Sequence, residues 1–355
     1  MTDKDGVSPR LSHPATLVDV ARAAGVSPMT VSRVVNNSRL VSASTRERVE
    51  RAMESVGYIP NSIARSLVQK RTGVLALLVS DITHTWFTQL GHEVEGAAAA
   101  AGYLLVFGNT DENELTEREY AEKLSSLHVD GVLLAPASRE SRETIELLQR
   151  RGIPVVLIDR EVEDVELDIA RGESYTPAIE LTDHLIAHGH TRLGIVAGPD
   201  HVWTAQERVR GFKAALRRRG LPVPRRYVRH AQLTRSGGAE AARKLLASED
   251  PPSAILAGNS YLAAGIVDVA RERGLRIPED LALVTFDDSE GPSEWAFYSC
   301  YEQPARAIGA AALRFLLDRL AGDRSGARRA VLRGDVRLRA SCGCLGAAPL
   351  QDHRQ

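Results

Sequence analysis

The sequence has few features of a secreted or disulfide-linked protein. Only three of its 355 residues are cysteines, Cys300, Cys342 and Cys344. An odd set clustered near the C-terminus is not a disulfide framework. Cys342 and Cys344 also lack the spacing of a zinc site, and the sequence supplies no second ligand pair. We therefore expect unpaired thiols and no bound metal.

Long apolar runs are lacking as well. No run approaches the roughly 20 residues that a helix needs to cross a bilayer. Residues 1–14 are polar and contain no apolar signal core. This pattern predicts a disordered leader over 1–14 and a cytoplasmic protein without membrane contact.

The motifs of nucleotide-cofactor enzymes do not occur in the expected context. No Gly-x-Gly-x-x-Gly follows a predicted strand, and there is no Gly-Lys-Ser/Thr phosphate loop. The 10 histidines are scattered, and no Ser-His-Asp or Cys-His set can be argued. We expect no catalytic residues and no cofactor. A dehydrogenase is the alternative, which a bound nicotinamide or flavin would support.

The charge is distributed unevenly along the chain. Residues 1–72 contain 11 Lys/Arg and 6 Asp/Glu, whereas the remainder contains 34 and 40. A basic first fifth on an acidic body indicates that one end meets a polyanion.

Residues 15–60 carry only helical signals. Leu17 begins a short apolar face, and Gly25 marks a tight turn after it. Ser27 is placed to cap a second helix with Pro28 at its first position. A third helix is predicted over 43–56, with Ser44 and Glu47 as a capping box.

Residues 61–72 form a short second zone. A possible helix over 62–69 is too short to persist alone in water. We interpret this zone as a hinge helix and a linker. The helix should form only when contacts outside it hold it in place.

From residue 73 onward, apolar strands alternate with amphipathic helices. Continuous apolar runs are typical of parallel strands that are buried on both faces. The alternation over some 270 residues predicts an α/β protein with two doubly wound sheets. The predicted strands are 74–79, 103–107, 131–135, 154–158, 192–197, 254–257 and 282–286.

Two short helices around Gly25 form a helix-turn-helix pattern. Small hydroxyl side chains at the start of the second helix can bond phosphates, and Arg33 can reach guanine in bidentate fashion. The pattern favours DNA binding. A three-helix core module with polar surfaces is the alternative.

Four segments of this zone, 16–21, 24–27, 30–36 and 58–61, closely resemble the headpiece of the lactose-repressor (LacI/GalR) family. The similarity runs nearly unbroken from residue 15 to 67. It implies a sequence-specific transcription regulator. By position, the implied base-reading residues are Pro28, Met29 and Arg33. The implied phosphate contacts are Thr16, Ser27, Thr30, Ser32, Asn36 and Thr45.

The same resemblance makes 61–67 a hinge helix that pairs with its counterpart in the DNA minor groove. It implies that Asn61, Ala64 and Leu67 lie there, with Leu67 wedged into the central base step. The alternative for Leu67 is an ordinary buried leucine.

Most of residues 73–341 resembles the family's core, which is itself similar to periplasmic sugar-binding proteins. The resemblance implies an effector-binding and dimerisation domain of two subdomains over 73–345, followed by a flexible tail at 346–355. It also implies three chain crossings, near Arg171, Gln303 and Leu332.

Strand ends of open sheets face such a cleft, and a polyol needs aromatic faces together with Asp, Asn and Arg. By family position, Arg208 and Asp287 are candidate ligand contacts, and Trp203, Trp295 and Gln303 are further ones. The strand ends place the remaining candidates around the cleft: Asp81, Trp86, Phe87, Asp159 and Asn259.

The chain departs from the family at three places that we expect to line or border the pocket: 259–260, 168–169 and 298–301. We predict a sugar or sugar derivative as effector, with a nucleobase or another metabolite as the alternative.

Two heads need two half-sites, so we predict a homodimer on a pseudo-palindromic operator. Effector binding would change the hinge through the core, and the sequence leaves open whether it releases or tightens the repressor. A transport-associated binding protein is a further alternative, which would need an export signal and no head.

Overall fold

A computed structural model describes residues 15–36, 38, 40–59, 71–138, 140–287 and 297–344. The chain divides into two compact units, Met1–Thr72 and Gly73–Gln355. Several predicted features lie outside the described residues: the leader 1–14, the hinge residues Asn61, Ala64 and Leu67, the cleft candidate Trp295, and the tail 346–355.

The described part of the first unit contains three helices, which enclose a small apolar core of valines and alanines such as Val20, Val31 and Val49. The helices are α1 Leu17–Ala24, α2 Pro28–Val35 and α3 Ala43–Val56. The spacing of these side chains follows the helical period, so each helix turns one apolar stripe inward.

Hydroxyl caps fix where these helices begin. Ser27 accepts a hydrogen bond from the Thr30 backbone N–H at 3.2 Å, as expected for the cap of α2. The capping box that we predicted at Ser44 and Glu47 is wrong. Ser42 caps α3 instead, accepting from the Thr45 N–H at 3.3 Å. Ser44 already lies inside the first turn, so it cannot act as the N-cap.

The second unit contains two six-stranded sheets. The first has the order β11-β5-β4-β3-β1-β2 and is parallel throughout. Its strands are β1 Val74–Val79, β2 Leu104–Asn109, β3 Gly131–Leu134, β4 Val155–Ile158, β5 Ile169–Gly172 and β11 Arg329–Leu332.

The second sheet repeats this arrangement with the order β12-β10-β9-β8-β6-β7. Only β12 is antiparallel to its neighbour. Its strands are β6 Leu193–Ala197, β7 Val228–His230, β8 Ala254–Ala257, β9 Ala282–Phe286, β10 Ser299–Glu302 and β12 Asp335–Arg337.

Helices cover the faces of both sheets, which explains why most of the strands are continuously apolar. They are α4 Thr85–Ala100, α5 Glu114–Ser126, α6 Ser141–Arg150, α7 Tyr175–Ala187, α8 Trp203–Arg218, α9 Arg235–Leu246, α10 Ser260–Glu272 and α11 Ala305–Leu320. None of the helices within the described ranges has the length and apolar character needed to cross a membrane.

The chain passes between the two sheets three times: after β5, after β10 and between β11 and β12. The crossings predicted near Arg171, Gln303 and Leu332 are therefore confirmed. The doubly wound α/β class is confirmed as well. Because the chain crosses three times, each subdomain is built from separate segments of the sequence.

Candidate functional site

A cleft of about 150 Å³ lies where the carboxyl ends of both sheets meet. Ligands of open α/β sheets bind at this edge because the connecting loops leave a crevice there. The lining residues come from loops after β1, β2, β4, β7, β8, β9 and β10 and from the starts of α4 and α8: Ser80, Asp81, His84, Trp86, Phe87, Asp111, Glu112, Asp159, Arg160, Thr204, Arg208, Gln232, Leu233, Thr234, Asn259, Asp287 and Gln303.

The first subdomain contributes a fully paired arginine, Arg160. Its guanidinium donates to both carboxylate oxygens of Glu112, to Asp159 Oδ2 at 3.2 Å, to the Pro136 carbonyl at 3.1 Å and to Ser80 Oγ at 3.3 Å. Burial acts to lower the pKa of Arg160, but the carboxylates of Glu112 and Asp159 raise it above its ordinary value. This group is a fixed part of the cleft wall.

The second subdomain contributes Arg208, which is far less well paired. It donates to the Gly258 carbonyl, and its guanidinium lies 4.0 Å from the Phe286 ring centroid. Its buried Nε has no hydrogen-bond partner among the described residues. Burial lowers the pKa of Arg208, and the charge of Asp287 only partly offsets this.

Asp287 is held by Gln303. The carboxylate accepts from the Gln303 side-chain amide at 2.8 Å and from its backbone N–H at 3.2 Å. Burial raises the pKa of Asp287, against the opposing charges of Arg208 and His84. Asp287 is therefore oriented by a neutral partner, with burial favouring its protonated form and the charge of Arg208 opposing this.

Two more buried nitrogen atoms lack partners among the described residues: His84 Nε2 and Trp86 Nε1. Both residues lie at the start of α4, and Trp86 packs edge-on against Phe87 with ring centroids 4.8 Å apart. Burial lowers the pKa of His84, outweighing the nearby Asp287 carboxylate, which favours the neutral ring. A buried donor without a partner costs free energy that a ligand acceptor can recover.

Tyr261 connects the two sides of the cleft. Its hydroxyl lies 3.0 Å from Thr83 Oγ1, and its ring meets the His84 ring edge-on with centroids 5.0 Å apart. Tyr261 belongs to α10 of the second subdomain, whereas Thr83 and His84 follow β1 of the first. Tyr261 therefore forms a direct contact between the two subdomains beside the cleft.

The structure brings most of the predicted ligand contacts together. The predicted residues that line the cleft are Asp81, Trp86, Phe87, Asp159, Arg208, Asn259, Asp287 and Gln303. Trp203 lies outside this lining, partly exposed, with the Arg171 guanidinium 4.5 Å from its ring centroid. Trp295 lies outside the described residues.

Two of the departures from the family pattern contribute no residue to the cleft lining, although we expected all three to line or border the pocket. Asp168 is buried between Arg319 and Arg328, which hold its pKa at about 2 against the opposing effect of burial. Residues 298–301 lie in and beside β10, none of them in the cleft lining. Residues 168–169 therefore do not line the cleft, whereas residues 298–301 border it, because the Tyr301 carbonyl accepts from the Asp287 backbone N–H at 2.9 Å.

The sequence analysis missed several lining residues, including Glu112, Arg160 and Thr234. Each follows the end of a strand or opens a helix beside one, so the strand-end rule could have found them. Glu112 in particular follows β2, whose end the apolar pattern placed too early, at residue 107 instead of Asn109.

The predicted DNA contacts lie on α2 and at the starts of α1 and α3. Pro28, Arg33 and Met29 are exposed, Met29 to 63%. Among the predicted phosphate contacts, Thr16 and Ser27 are exposed, and four are partly buried: Thr30, Ser32, Asn36 and Thr45. Ser27 Oγ and Thr30 Oγ1 lie 2.9 Å apart.

A helical head joined to a two-subdomain α/β clamp defines a class of protein that couples a small-molecule cleft to a second binding surface. Two family descriptions match this chain. Residues 72–299 match periplasmic binding proteins and the sugar-binding domain of the LacI family. Residues 16–61 match bacterial regulatory proteins of the lacI family.

Individual proteins are similar along nearly the whole chain. The HTH-type transcriptional repressor CytR of Escherichia coli (strain K12) is 30% identical, covering 93% of this chain and 97% of that one. A complex of the transcriptional regulator CelR with cellobiose has a TM-score of 0.70 at 30% identity, covering 92% and 99%. The Lac repressor dimer bound to operator and the anti-inducer ONPF has a TM-score of 0.79 at 25% identity, covering 93% and 99%.

The chain belongs to the LacI family of bacterial regulatory proteins. It is a DNA-binding transcription regulator with a small-molecule cleft in its core, which confirms the resemblance found in the sequence.

Proposed function

We propose that this protein is a homodimeric repressor of a pseudo-palindromic operator and that an uncharged sugar or sugar derivative in the cleft sets its operator affinity. The observation that carries the ligand proposal is the set of three buried nitrogen atoms without partners at one cleft: His84 Nε2, Trp86 Nε1 and Arg208 Nε. Sugar hydroxyls are acceptors as well as donors, so they can pair with these nitrogens and with the carboxylates beside them.

The charges at the cleft support a neutral ligand. Five acidic residues line it against two arginines, Arg160 and Arg208. Arg160 is already paired with two of the carboxylates, so it leaves no net positive charge for a phosphate. A sugar phosphate would meet like charges at close range in a partly desolvated site, which costs free energy.

The aromatic pair Trp86 and Phe87 supports a pyranose or furanose ring. Both are buried at the cleft, with exposed fractions of 6% and 7%. The apolar face of a sugar ring can pack on such rings while its hydroxyls bond the polar groups. A nucleoside could use the same rings, which makes it an outcome of the test below.

The proposal for DNA uses α2 as the recognition helix. Arg33 is proposed to read guanine, and Pro28 and Met29 to make apolar contacts such as to a thymine methyl. The six hydroxyl and amide side chains named above are proposed to hold phosphates. Asn61, Ala64 and Leu67 are proposed to enter the minor groove.

An exposed apolar stripe on an edge strand supports the homodimer. β2 lies at the edge of the first sheet, with Leu104 exposed to 64% and Val106 and Phe107 to 37% each. Exposed edge strands and apolar patches are favourable interfaces. Sedimentation of the wild type and of Leu104→Glu tests this, with dissociation to monomer expected for the variant.

The ligand proposal is tested by thermal melting against neutral monosaccharides, neutral disaccharides, sugar phosphates and nucleosides. A ligand at a hundred times its Kd adds about 2.7 kcal/mol to the stability of the native state. We expect a neutral sugar to raise Tm in the wild type and not in Asp287→Asn. A response confined to nucleosides or sugar phosphates would contradict the sugar proposal.

The DNA proposal is tested by selecting binding sequences from a random pool and comparing Arg33→Ala with Arg51→Ala. Arg51 is exposed on α3 and is not among the proposed base contacts. Arg33→Ala should lose about 1–3 kcal/mol of discrimination between selected and random DNA. Equal loss of affinity for both DNAs would remove Arg33 from base readout.

A further inference from the structure

Four side chains of types that can ligate a metal converge at the end of α7, and none of them lines the cleft. Cys342 Sγ lies 3.2 Å from His184 Nε2 and 3.2 Å from Cys344 Sγ. Cys344 Sγ in turn lies 3.3 Å from His184 Nε2 and 3.6 Å from His188 Nε2. This cluster was not predicted from the sequence, because cysteine spacing alone does not show that His184 and His188 lie beside Cys342 and Cys344.

Local structure explains how the four side chains meet. His184 lies in the last turn of α7 and His188 is its C-cap residue, so their spacing of four places both rings on one face. Their ring centroids are 4.3 Å apart. Cys342 ends a 3-10 turn, and Gly343 follows at φ +86°, a conformation that turns Cys344 back toward the helix.

Neighbouring groups hold the cluster in place. Ser341 is fully buried and donates to the Leu283 carbonyl at 2.6 Å, which anchors the cysteine segment against the second sheet. Ser299 Oγ lies 2.9 Å from Cys342 Sγ. His188 Nδ1 lies 2.9 Å from the His184 carbonyl, so its proton sits on Nδ1 and the Nε2 lone pair faces Cys344.

We propose that Cys342, Cys344, His184 and His188 form a tetrahedral Zn²⁺ site. Zinc bonds of about 2.3 Å to sulfur and 2.0–2.1 Å to nitrogen separate two sulfurs by about 3.8 Å and a sulfur from a nitrogen by about 3.6 Å. The separations among His184, Cys342 and Cys344 are 3.2–3.3 Å, and these three ligand atoms all lie within 4.8 Å of one another. His188 Nε2 lies 3.6 Å from Cys344 Sγ and would move closer to the other two ligands to complete the site.

The donor set selects the metal. Two thiolates and two imidazoles favour zinc over magnesium or calcium, which prefer oxygen ligands. The hydrogen bond from His188 Nδ1 to a backbone carbonyl is the usual outer contact of a metal-ligating histidine. Binding releases the thiol protons, so it weakens as the pH falls.

The site would join the C-terminal segment to the first helix after the first chain crossing. Cys342 and Cys344 follow the last crossing, and α7 follows the first. Zinc here would therefore fix two ends of the second subdomain to each other. Its expected effect is on stability, not on effector or DNA contacts.

The test uses untagged full-length protein, purified with a phosphine reductant, stripped with a chelator and titrated with zinc chloride. We expect one zinc per chain and a rise in Tm on the order of 5 °C. Cobalt chloride should give a thiolate-to-cobalt charge-transfer band and the visible bands of tetrahedral Co²⁺.

The variants Cys344→Ser and His188→Ala remove ligands at partly exposed and exposed positions, so both should fold. We expect Cys344→Ser to lose the charge-transfer intensity of one thiolate and each variant to bind zinc at least tenfold more weakly. The controls are His190→Ala, in the same turn but bonded to Ser253, and Cys300→Ala. Both should retain zinc binding.

Three results would overturn the proposal. The first is no zinc bound by the reduced wild type. The second is zinc binding that Cys344→Ser and His188→Ala leave unchanged. The third is a Cys342–Cys344 disulfide that persists under the reductant, detected as a mass lower by two hydrogens.

Discussion

The two subdomains of the core have the same arrangement of strands at the cleft, but their side chains make different contacts there. Both sheets have the same strand order. Asp159 directly follows β4 and Asp287 follows β9, the equivalent strand, with left-handed φ angles of 64° and 56°. Each aspartate is 7% exposed. Two equivalent carboxylates therefore line the cleft, one from each subdomain.

The arginines beside these carboxylates differ. Arg160 uses its guanidinium on Glu112, Asp159 and neighbouring oxygens, whereas Arg208 leaves its Nε without a partner among the described residues. A saturated arginine fixes the wall of a site, and an unsaturated one has capacity left for a ligand. We therefore propose that Arg160 stabilises the first subdomain and that Arg208 contacts the ligand.

The largest expected effect comes from replacing Arg160, the fully paired arginine of the first subdomain. Arg160→Met leaves the Glu112 and Asp159 carboxylates at the cleft without their cation. Removing one member of a buried ion pair costs about 3–5 kcal/mol of stability. Urea unfolding of the variant and the wild type measures this loss.

The matched control is Arg118→Met, whose ion pairs with Glu122 and Glu143 are exposed. Exposed pairs contribute about 0–1 kcal/mol, so this variant should unfold near the wild-type urea concentration. Comparable losses in the two variants would mean that Arg160 has no special structural role.

A smaller effect is expected for Arg208 in the second subdomain, and it is measured as a change in effector affinity. Arg208→Met should weaken effector binding by roughly 10- to 100-fold, because a hydrogen bond to a charged group contributes about 1.5–3 kcal/mol. Its loss of stability should be smaller than that of Arg160→Met, since Arg208 has fewer bonds to lose. Calorimetric titration with the sugar found by melting measures the affinity.

Arg208→Lys separates charge from geometry, because lysine keeps the cation and loses the planar fork. Affinity restored by lysine would indicate a role of charge alone. Affinity unchanged in Arg208→Met would place Arg208 outside the binding site and would reverse the comparison.

The sequence predicted the positions of the two aspartates better than the contacts of the arginines beside them. Asp159 and Asp287 follow apolar strands, so the pattern placed them at the cleft from local information. Arg160 also follows a strand, but its pairing could not be predicted, because its main partner, Glu112, is 48 residues away in the sequence and lies on a different loop. The same holds for His184 and Cys342, which are 158 residues apart. The strand pattern in the sequence predicts which residues lie at a sheet edge. Which side chains from different loops bond to each other depends on tertiary packing.

The fold itself could be predicted from the sequence, because the patterns that define it are local. Continuous apolar runs and helical stripes are local, and the crossings follow from the family pattern. Trp203 shows where such reasoning fails: it begins α8 beside the cleft, yet its ring lies against Arg171. Which way a side chain at a helix start turns is decided by its neighbours, here a guanidinium that offers a cation–π contact.

The smallest expected effect concerns the contact that joins the halves. Tyr261→Phe removes the hydroxyl that lies 3.0 Å from Thr83 Oγ1 and keeps the ring against His84. A single hydrogen bond contributes about 0.5–1.5 kcal/mol, and this one is exposed, so the lower end applies. If the effector binds the closed form, its affinity should fall about two- to fivefold while the urea midpoint stays unchanged. Tyr175→Phe is the control, because Tyr175 stacks on Arg210 within the second subdomain. A loss of stability without a loss of affinity in Tyr261→Phe would mean that the tyrosine supports packing and does not hold the two halves together around the ligand.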